Sequence, residues 1–325
     1  MTLLSVRDLS THHLTGGAPV RAVDGVSFDL APGEILGLVG ESGCGKTTVG
    51  FSLLRLLPPT ARVVGGQILF EGDDLLGMGG EQMRALRGNR IATVFQDPMT
   101  SLDPAFTVGD QLMEPLREHL GLGREAARAR AVELLAQVGI PAPAERLRHH
   151  PHEFSGGMRQ RVVIAIALSC NPSLPICDEP TSALDVTVQA QILGLLRALK
   201  RAHQNTAIVM ITHDLGVVAQ LCQRVAVMYA GQLVEQGPVR DVFSNPRHPY
   251  TQGLLGSLPG RVPKGTPLRQ IEGTVPNLAH PPAGCRFHPR CPHAHQTCLQ
   301  PPPVVTVGRQ QVACVLYEEG TRVAS

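Results

Sequence analysis

The 325-residue chain contains no tryptophan, three tyrosines and eight phenylalanines, and none of these aromatics lies between Ser10 and Val23. An excess of charge of either sign is missing too. Lys and Arg number 29 against 27 Asp and Glu, a net charge of +2, too weak to mark a nucleic-acid partner. No apolar run approaches the roughly eighteen residues of a membrane-spanning helix; the densest, Val162–Leu168, is far shorter. The opening residues carry no apolar stretch of signal-peptide length, and Asp8 interrupts them early. No internal repeat points to two copies of one unit. These absences predict a soluble, cytoplasmic protein with one large or two modest cores.

What is present alternates between strand and helix. Hydrophobic residues make up 43% and charged residues 17%, a globular composition. "LLSVRDL" (3–9) and "VSFDL" (26–30) read as strands, the second with Val26, Phe28 and Leu30 on one face. "EILGLVG" (34–40) is continuously apolar, as in a strand buried on both faces. A glycine-rich turn and the helical "KTTVGFSLLRLL" follow, stopped by Pro58 and Pro59. "GGQILFEG" and "IATVFQ" read as further strands. From Asp97 to about Ser169 the pattern is helical, with a strong helix over 124–138. Strands "LPICD", "AIVMIT" and "RVAVMYA" then alternate with helices "VTVQAQILGLLRALKRA" and "DLGVVAQLC", which argues for a parallel sheet flanked by helices.

"GESGCGKT" (Gly40–Thr47) fits G-x-x-x-x-G-K-[ST] between a buried strand and a helix. Glycines there let backbone N–H groups converge on phosphate oxygens, and the helix N-terminus adds partial positive charge. Lys46 would reach the terminal phosphates and Thr47 would coordinate Mg²⁺. "ICDEP" puts Asp178 and Glu179 at the end of an apolar run, suited to holding Mg²⁺ and activating water. "VMITHD" places His213 at another strand end. "FSGGMRQR" forms a second anion-binding helix start at Ser155, Gly156 and Gly157. A second cradle makes sense if it completes the site of another subunit.

With Gln96 of "VFQDP" and Asp185 of "SALD", these motifs over residues 1 to about 240 resemble the ATP-binding cassette (ABC) ATPases. The resemblance implies an α/β, ABC-type nucleotide-binding domain with a P-loop parallel-sheet core, an antiparallel β subdomain and a helical subdomain at about 97–169. It implies ATP and Mg²⁺ contacts at Gly40, Ser42, Gly43, Cys44, Gly45, Lys46, Thr47, Thr48, Gln96 and Asp178. Glu179 is then the catalytic base, His213 the switch histidine and Gln96 the Q-loop link to a transmembrane partner. Ser155–Gly157 would face the opposite subunit's ATP, and Asp185 would lie in the D-loop.

The region after Asn245 differs in composition. It holds eight Lys/Arg against three Asp/Glu, leaving 21 against 24 before it, and 13 of the 27 prolines. It also holds Cys285, Cys291, Cys298 and Cys314, four of the eight cysteines. In a reducing compartment such clustering favours metal or redox chemistry over disulfides. Spacings of 5, 6 and 15 residues admit an iron–sulfur cluster, zinc or free thiols, and the tight C-x₂₋₄-C knuckles of zinc modules are absent. "NPRHPYTQGLL" and "GCRFHPRCP" resemble the C-terminal extension of oligopeptide and dipeptide importer ATPases, which divides the chain into an ATPase domain, 1–244, and a loop-rich extension, 245–325. That resemblance implies a [4Fe–4S] cluster on the four cysteines, with zinc as the alternative. It further implies a non-identical ATPase partner, two permease subunits and, indirectly, an extracytoplasmic peptide-binding protein, at the cytoplasmic face of a bacterial plasma membrane and with no nucleic acid. Alternative readings are import of another small solute, such as a metal chelate, or nucleic-acid maintenance.

Three positions depart from the family pattern. Members usually stack adenine on an aromatic residue before the P-loop, and here only His13 offers a ring. Pro175 lies inside the strand leading to Asp178, where it removes a ladder N–H. Cys44 sits near a helix N-terminus, which could lower its thiol pKa, or it is a small filler.

Overall fold

The computed structural model describes residues 2–14, 16–182, 184–258 and 270–318. Chain contacts divide into two compact units, one comprising Ala31–Glu34 with Gly77–Met210, the other Thr2–Leu30, Ile35–Leu76 and the chain from Ile211 onward. The C-terminal extension therefore shares a unit with the P-loop.

In that second unit, an antiparallel sheet runs in the order Val20–Leu30, Leu4–His13, Ala61–Phe70, Asp73–Asp74. Leu4, Val6, Leu9 and Thr11 of the central strand are buried. The alternation breaks between Val6 and Leu9 because Asp8 takes a left-handed φ of 46° and bulges the strand. Ser27 stabilises the bulge by accepting the Asp8 N–H at 2.8 Å. The same unit pairs Ile35–Val39 with Arg224–Tyr229 in parallel, and Gln232–Pro238 with Arg224–Tyr229 antiparallel. All five residues of Ile35–Val39 are buried, as continuous apolarity requires.

The extension is more ordered than its prolines suggest. Helix Pro249–Gly256 begins on a proline at its first turn, and a hairpin of Val304–Val307 and Gln310–Ala313 turns at Gly308, φ 64°. The hairpin lengthens the sheet, with Val312 opposite Glu235. A loop-rich extension is thus only part of the outcome. Its proline-poor last segment had enough β-branched residues to pair with an open sheet edge. Segments 259–269 and 319–325 of the extension lie outside the described residues.

Glu235 is 1% exposed and accepts N–H groups from Arg247 (2.8 Å) and His248 (2.9 Å), with the Gln310 amide at 3.1 Å. Burial pushes its pKa up, against those donors. His248, also 1% exposed, accepts the Tyr250 N–H on Nδ1 at 3.1 Å, and burial pulls its pKa down to about 3. The "RHPY" segment is therefore pinned by a buried carboxylate and a neutral imidazole. Tyr229, Tyr250 and Phe287 pack beside them, with ring centroids 4.6 to 5.5 Å apart.

The first unit pairs Ile91–Val94 with Leu174–Asp178 in parallel and is otherwise helical. Helix Val108–Leu120 is capped by Thr107, whose hydroxyl accepts the Asp110 N–H, and ends at Gly121 with φ 64°. Arg124–Gln137 follows the 124–138 expectation within one residue. Helices Gly156–Leu168 and Val186–Ala202 complete it. Ile208–Thr212, a fully buried strand, carries the chain from this unit into the other.

Candidate functional site

The loop from Gly40 to Gly45 joins the buried strand Ile35–Val39 to helix Lys46–Leu54. Gly45, φ 104°, forms the helix start, and a Cβ there would run into the Ala22 carbonyl oxygen. A Cβ on Gly40 would run into the Met228 carbonyl oxygen. No side chain caps this helix and no acid lies in its first turn, so its N–H groups remain suited to an anion. Lys46 is 5% exposed and donates to the carbonyls of Gly40 (2.8 Å) and Glu41 (3.0 Å). Its ammonium thereby tightens the loop and sits beneath it. Ser42, Gly43 and Thr47 are exposed. His13 brings Nε2 to 3.5 Å from Thr48 Oγ1 in the first helical turn.

Cys44 is fully buried beside Lys46, at 3.8 Å from its ammonium. Burial raises the thiol pKa despite that neighbour. Of the two readings of Cys44, the small filler agrees with this direction, because desolvation outweighs the nearby cation.

In the other unit, Asp178 ends the fully buried strand Leu174–Asp178 and is itself 4% exposed. Glu179 follows in a left-handed conformation, φ 45°, which turns the chain out of the strand. Ser182 holds this turn by donating N–H and hydroxyl to the Glu179 carbonyl at 3.1 and 3.0 Å. The Gln96 side-chain amide donates to Glu179 Oε2 at 3.2 Å. The parallel pairing of Ile91–Val94 with this strand delivers Gln96 there. Pro175 is buried and in register opposite Ala92. Leu174 N–H bonds to Arg90 on that side, so the N–H missing at Pro175 faces the opposite edge, where Ala207 N–H bonds to Ser173. The strand stays regular and gives up one bond.

Ser155 caps helix Gly156–Leu168 by accepting the Met158 N–H at 3.4 Å. Ser155 and Gly156 are exposed, while a Cβ on Gly157 would come to 2.9 Å from Val188 Cγ1. Asp185 Oδ1 accepts the N–H groups of Thr187 and Val188, each at 3.0 Å. The second anion-binding start and the Asp185 turn are thus neighbours. His213 is exposed just beyond Ile208–Thr212, and Asp214 caps the next helix at Gly216 and Val217.

The extension's cysteines draw together through a closed loop. Cys285 N–H donates to the Cys298 carbonyl at 2.9 Å, and a Cβ on Gly284 (φ 69°) would collide with that same carbonyl. Burial pushes Cys291 and Cys314 up to about 11, and Cys314 is raised further by Cys285, Cys291 and Cys298 together. Among the described residues, no group of three or more His, Cys, Asp or Glu is arranged to hold a metal ion.

How the extension meets the P-loop is visible only in the folded chain. Tyr250 accepts the Glu41 N–H on its hydroxyl at 2.9 Å. Arg290 forms a two-bond fork to the Glu41 carboxylate, at 2.8 and 3.2 Å. Arg286 pairs with Asp24 and donates to the Ala230 carbonyl, and Gly231 N–H bonds to the Cys44 carbonyl at 2.9 Å. A separation of 249 residues between Glu41 and Arg290 hides this contact from any local pattern. The clustering of two arginines among the cysteines was its only trace.

Comparison with known proteins shows the family. The ABC transporter family model matches residues 23–182, and the oligopeptide/dipeptide transporter C-terminal region matches 234–298. The dipeptide transport ATP-binding protein DppD of Bacillus subtilis is 50% identical over 320 residues, covering 98% of this chain and 95% of the relative. The oligopeptide transport ATP-binding protein OppD of Salmonella typhimurium is 50% identical over 302 residues, 93% and 90% of the two chains. Among solved structures, the dimeric post-hydrolysis state of the ATP-binding cassette MJ0796 bound to ADP and Pi superposes with a TM-score of 0.66 at 26% identity, covering 73% of this chain and 99% of that one. A phosphate cradle, an acidic strand end with its glutamine, and a C-terminal region of matching type occur here in one chain, which belongs to the ABC transporter ATP-binding proteins of the oligopeptide/dipeptide transporter family.

Proposed function

We propose that this chain is the ATP-hydrolysing, energy-coupling subunit of an importer for di- or oligopeptides. One observation carries the reading: the phosphate cradle and the oligopeptide/dipeptide C-terminal region lie in one chain that matches DppD over 98% of its length. ATP phosphates would lie on Gly40–Thr47, with Mg²⁺ held by Thr47 and Asp178. Glu179 would take the proton of the attacking water, oriented by Gln96, and His213 would contact the terminal phosphate. The Gln96–Glu179 hydrogen bond supports the pairing of those two roles. His13, beside Thr48, would stand where the family places an adenine-stacking ring.

Exposure of Ser155 and Gly156 at the start of helix Gly156–Leu168 supports their use toward a second subunit's ATP, with Asp185 next to them. We infer a non-identical ATPase partner, two permease subunits supplying the membrane path, and a peptide-binding protein outside. No helix among the described residues is long and apolar enough to cross a membrane, which suits a peripheral subunit on the cytoplasmic face. The domain reading is an ATPase over 1–244 and an extension over 245–325. The reconstituted transporter should raise its ATPase rate when a peptide-loaded binding protein is added; stimulation by a metal chelate and not by peptides would overturn the cargo.

Four cysteines are the ligand number of a Cys₄ iron–sulfur centre, and the Cys285 N–H bond to the Cys298 carbonyl supports their belonging to one loop. Cys285, Cys291, Cys298 and Cys314 would hold a [4Fe–4S] cluster, which when bound would supply a four-thiolate staple. Anaerobically purified protein should contain about four irons per chain; one zinc per chain would replace the cluster by a zinc staple.

A further inference from the structure

The Arg290 guanidinium is 6% exposed, and every one of its N–H groups has an acceptor. Nη1 and Nη2 bind Glu41 at 2.8 and 3.2 Å, Nη1 also reaches the Tyr229 hydroxyl at 3.2 Å, Nε donates to the Glu272 carbonyl at 2.9 Å and Nη2 to the Ile271 carbonyl at 3.2 Å. A buried guanidinium with five satisfied donors has one rotamer and no room to relax. Its partner Glu41 is the first residue after Gly40 in the phosphate cradle and is fixed at three points: N–H to Tyr250, carbonyl to Lys46, carboxylate to Arg290.

An acid at this position is an electrostatic cost. The cradle must receive a polyphosphate of several negative charges, and a free carboxylate beside it would repel that ligand through a partly screened medium. We propose that Arg290 of the extension is a positioning residue of the nucleotide site, neutralising Glu41 and holding its carboxylate toward the extension so that the cradle stays attractive to ATP. The extension then acts on nucleotide affinity as well as on the tail's own order. The inference rests on Gly40–Thr47 being the ATP cradle.

The test is equilibrium titration of the full-length protein with a fluorescent ATP analogue, with Lys46→Ala as control. Arg290→Gln should weaken binding on the order of tenfold, the scale of one uncompensated charge at intermediate dielectric. Glu41→Gln/Arg290→Gln should restore most of that loss, because the repelling carboxylate is gone; a role confined to packing would give no such rescue. Arg290→Lys, keeping the charge without the fork, should fall between, and serves if Arg290→Gln does not fold. Wild-type affinity in Arg290→Gln, or a double variant as weak as Arg290→Gln, would overturn the proposal while leaving the cradle in place. Equal binding by wild type and Lys46→Ala would overturn both.

Discussion

At the scale of single residues, the site separates groups that fix backbone from groups that do chemistry. Gly45 belongs to the first kind: a side chain there meets the Ala22 carbonyl. Gly45→Ala should cost on the order of 1–3 kcal/mol, the range for forcing a strained backbone position, and thermal unfolding would show it as a lowered Tm with weakened nucleotide binding. Glu179 is proposed as one of the second kind. Glu179→Gln should retain ATP but lose roughly 10²–10⁴ in hydrolysis rate, the usual worth of one general base, as single-turnover measurements in the assembled transporter would show. Near-normal turnover would remove Glu179 from that role. Lys46→Ala should instead lose nucleotide binding, since its ammonium is the cation held under the loop.

Among the elements, the segment around "RHPY" carries a pH dependence. His248 stays neutral in the fold down to about pH 3, against 6.5 when free, and its Nε2 has no hydrogen-bond partner among the described residues. Between those values the unfolded chain binds the extra proton, so stability falls as pH drops through this window. The slope should reach up to ~1.4 kcal/mol per pH unit, the value of one proton. Glu235 opposes this in part above pH 4.5, where its raised pKa lets the folded chain take a proton before the unfolded one does. His248→Asn keeps an acceptor where Nδ1 meets the Tyr250 N–H and cannot ionise. Its unfolding free energy should therefore vary less between pH 6.5 and 4, and an unchanged slope by denaturant titration would show that another group is responsible.

For the whole molecule, the residues proposed to handle nucleotide occur in both compact units. Gly40–Thr47 and His213 lie in one; Gln96, Asp178, Glu179, Ser155–Gly157 and Asp185 lie in the other. With the helix start at Ser155 and Gly156 open to solvent, the proposed signature should work poorly alone. The purified single chain is expected to hydrolyse ATP slowly at low concentration and to gain rate when the partner ATPase and permeases are supplied. Full activity from a chain shown by light scattering to be monomeric would contradict the shared site.

The sequence by itself determined what depends on short-range pattern. The continuous apolarity of 35–39 set a strand buried on both faces, the glycines of 40–45 set a turn with positive φ at Gly43 and Gly45, and the spacing over 186–202 set a helix whose observed bounds coincide. These are local constraints on φ, ψ and face, written in adjacent residues. Other outcomes were open until the chain was folded. Cys44 agrees with the small filler because burial outweighs a neighbouring cation, Pro175 fitted a regular strand because its missing N–H faces one side only, and the hairpin 304–313 found a sheet edge within a proline-rich tail. Most of all, the fork from Arg290 to Glu41 joins residues 249 apart. Desolvation, edge pairing and long-range ion pairs depend on what packing brings near, and only the tertiary structure decides that.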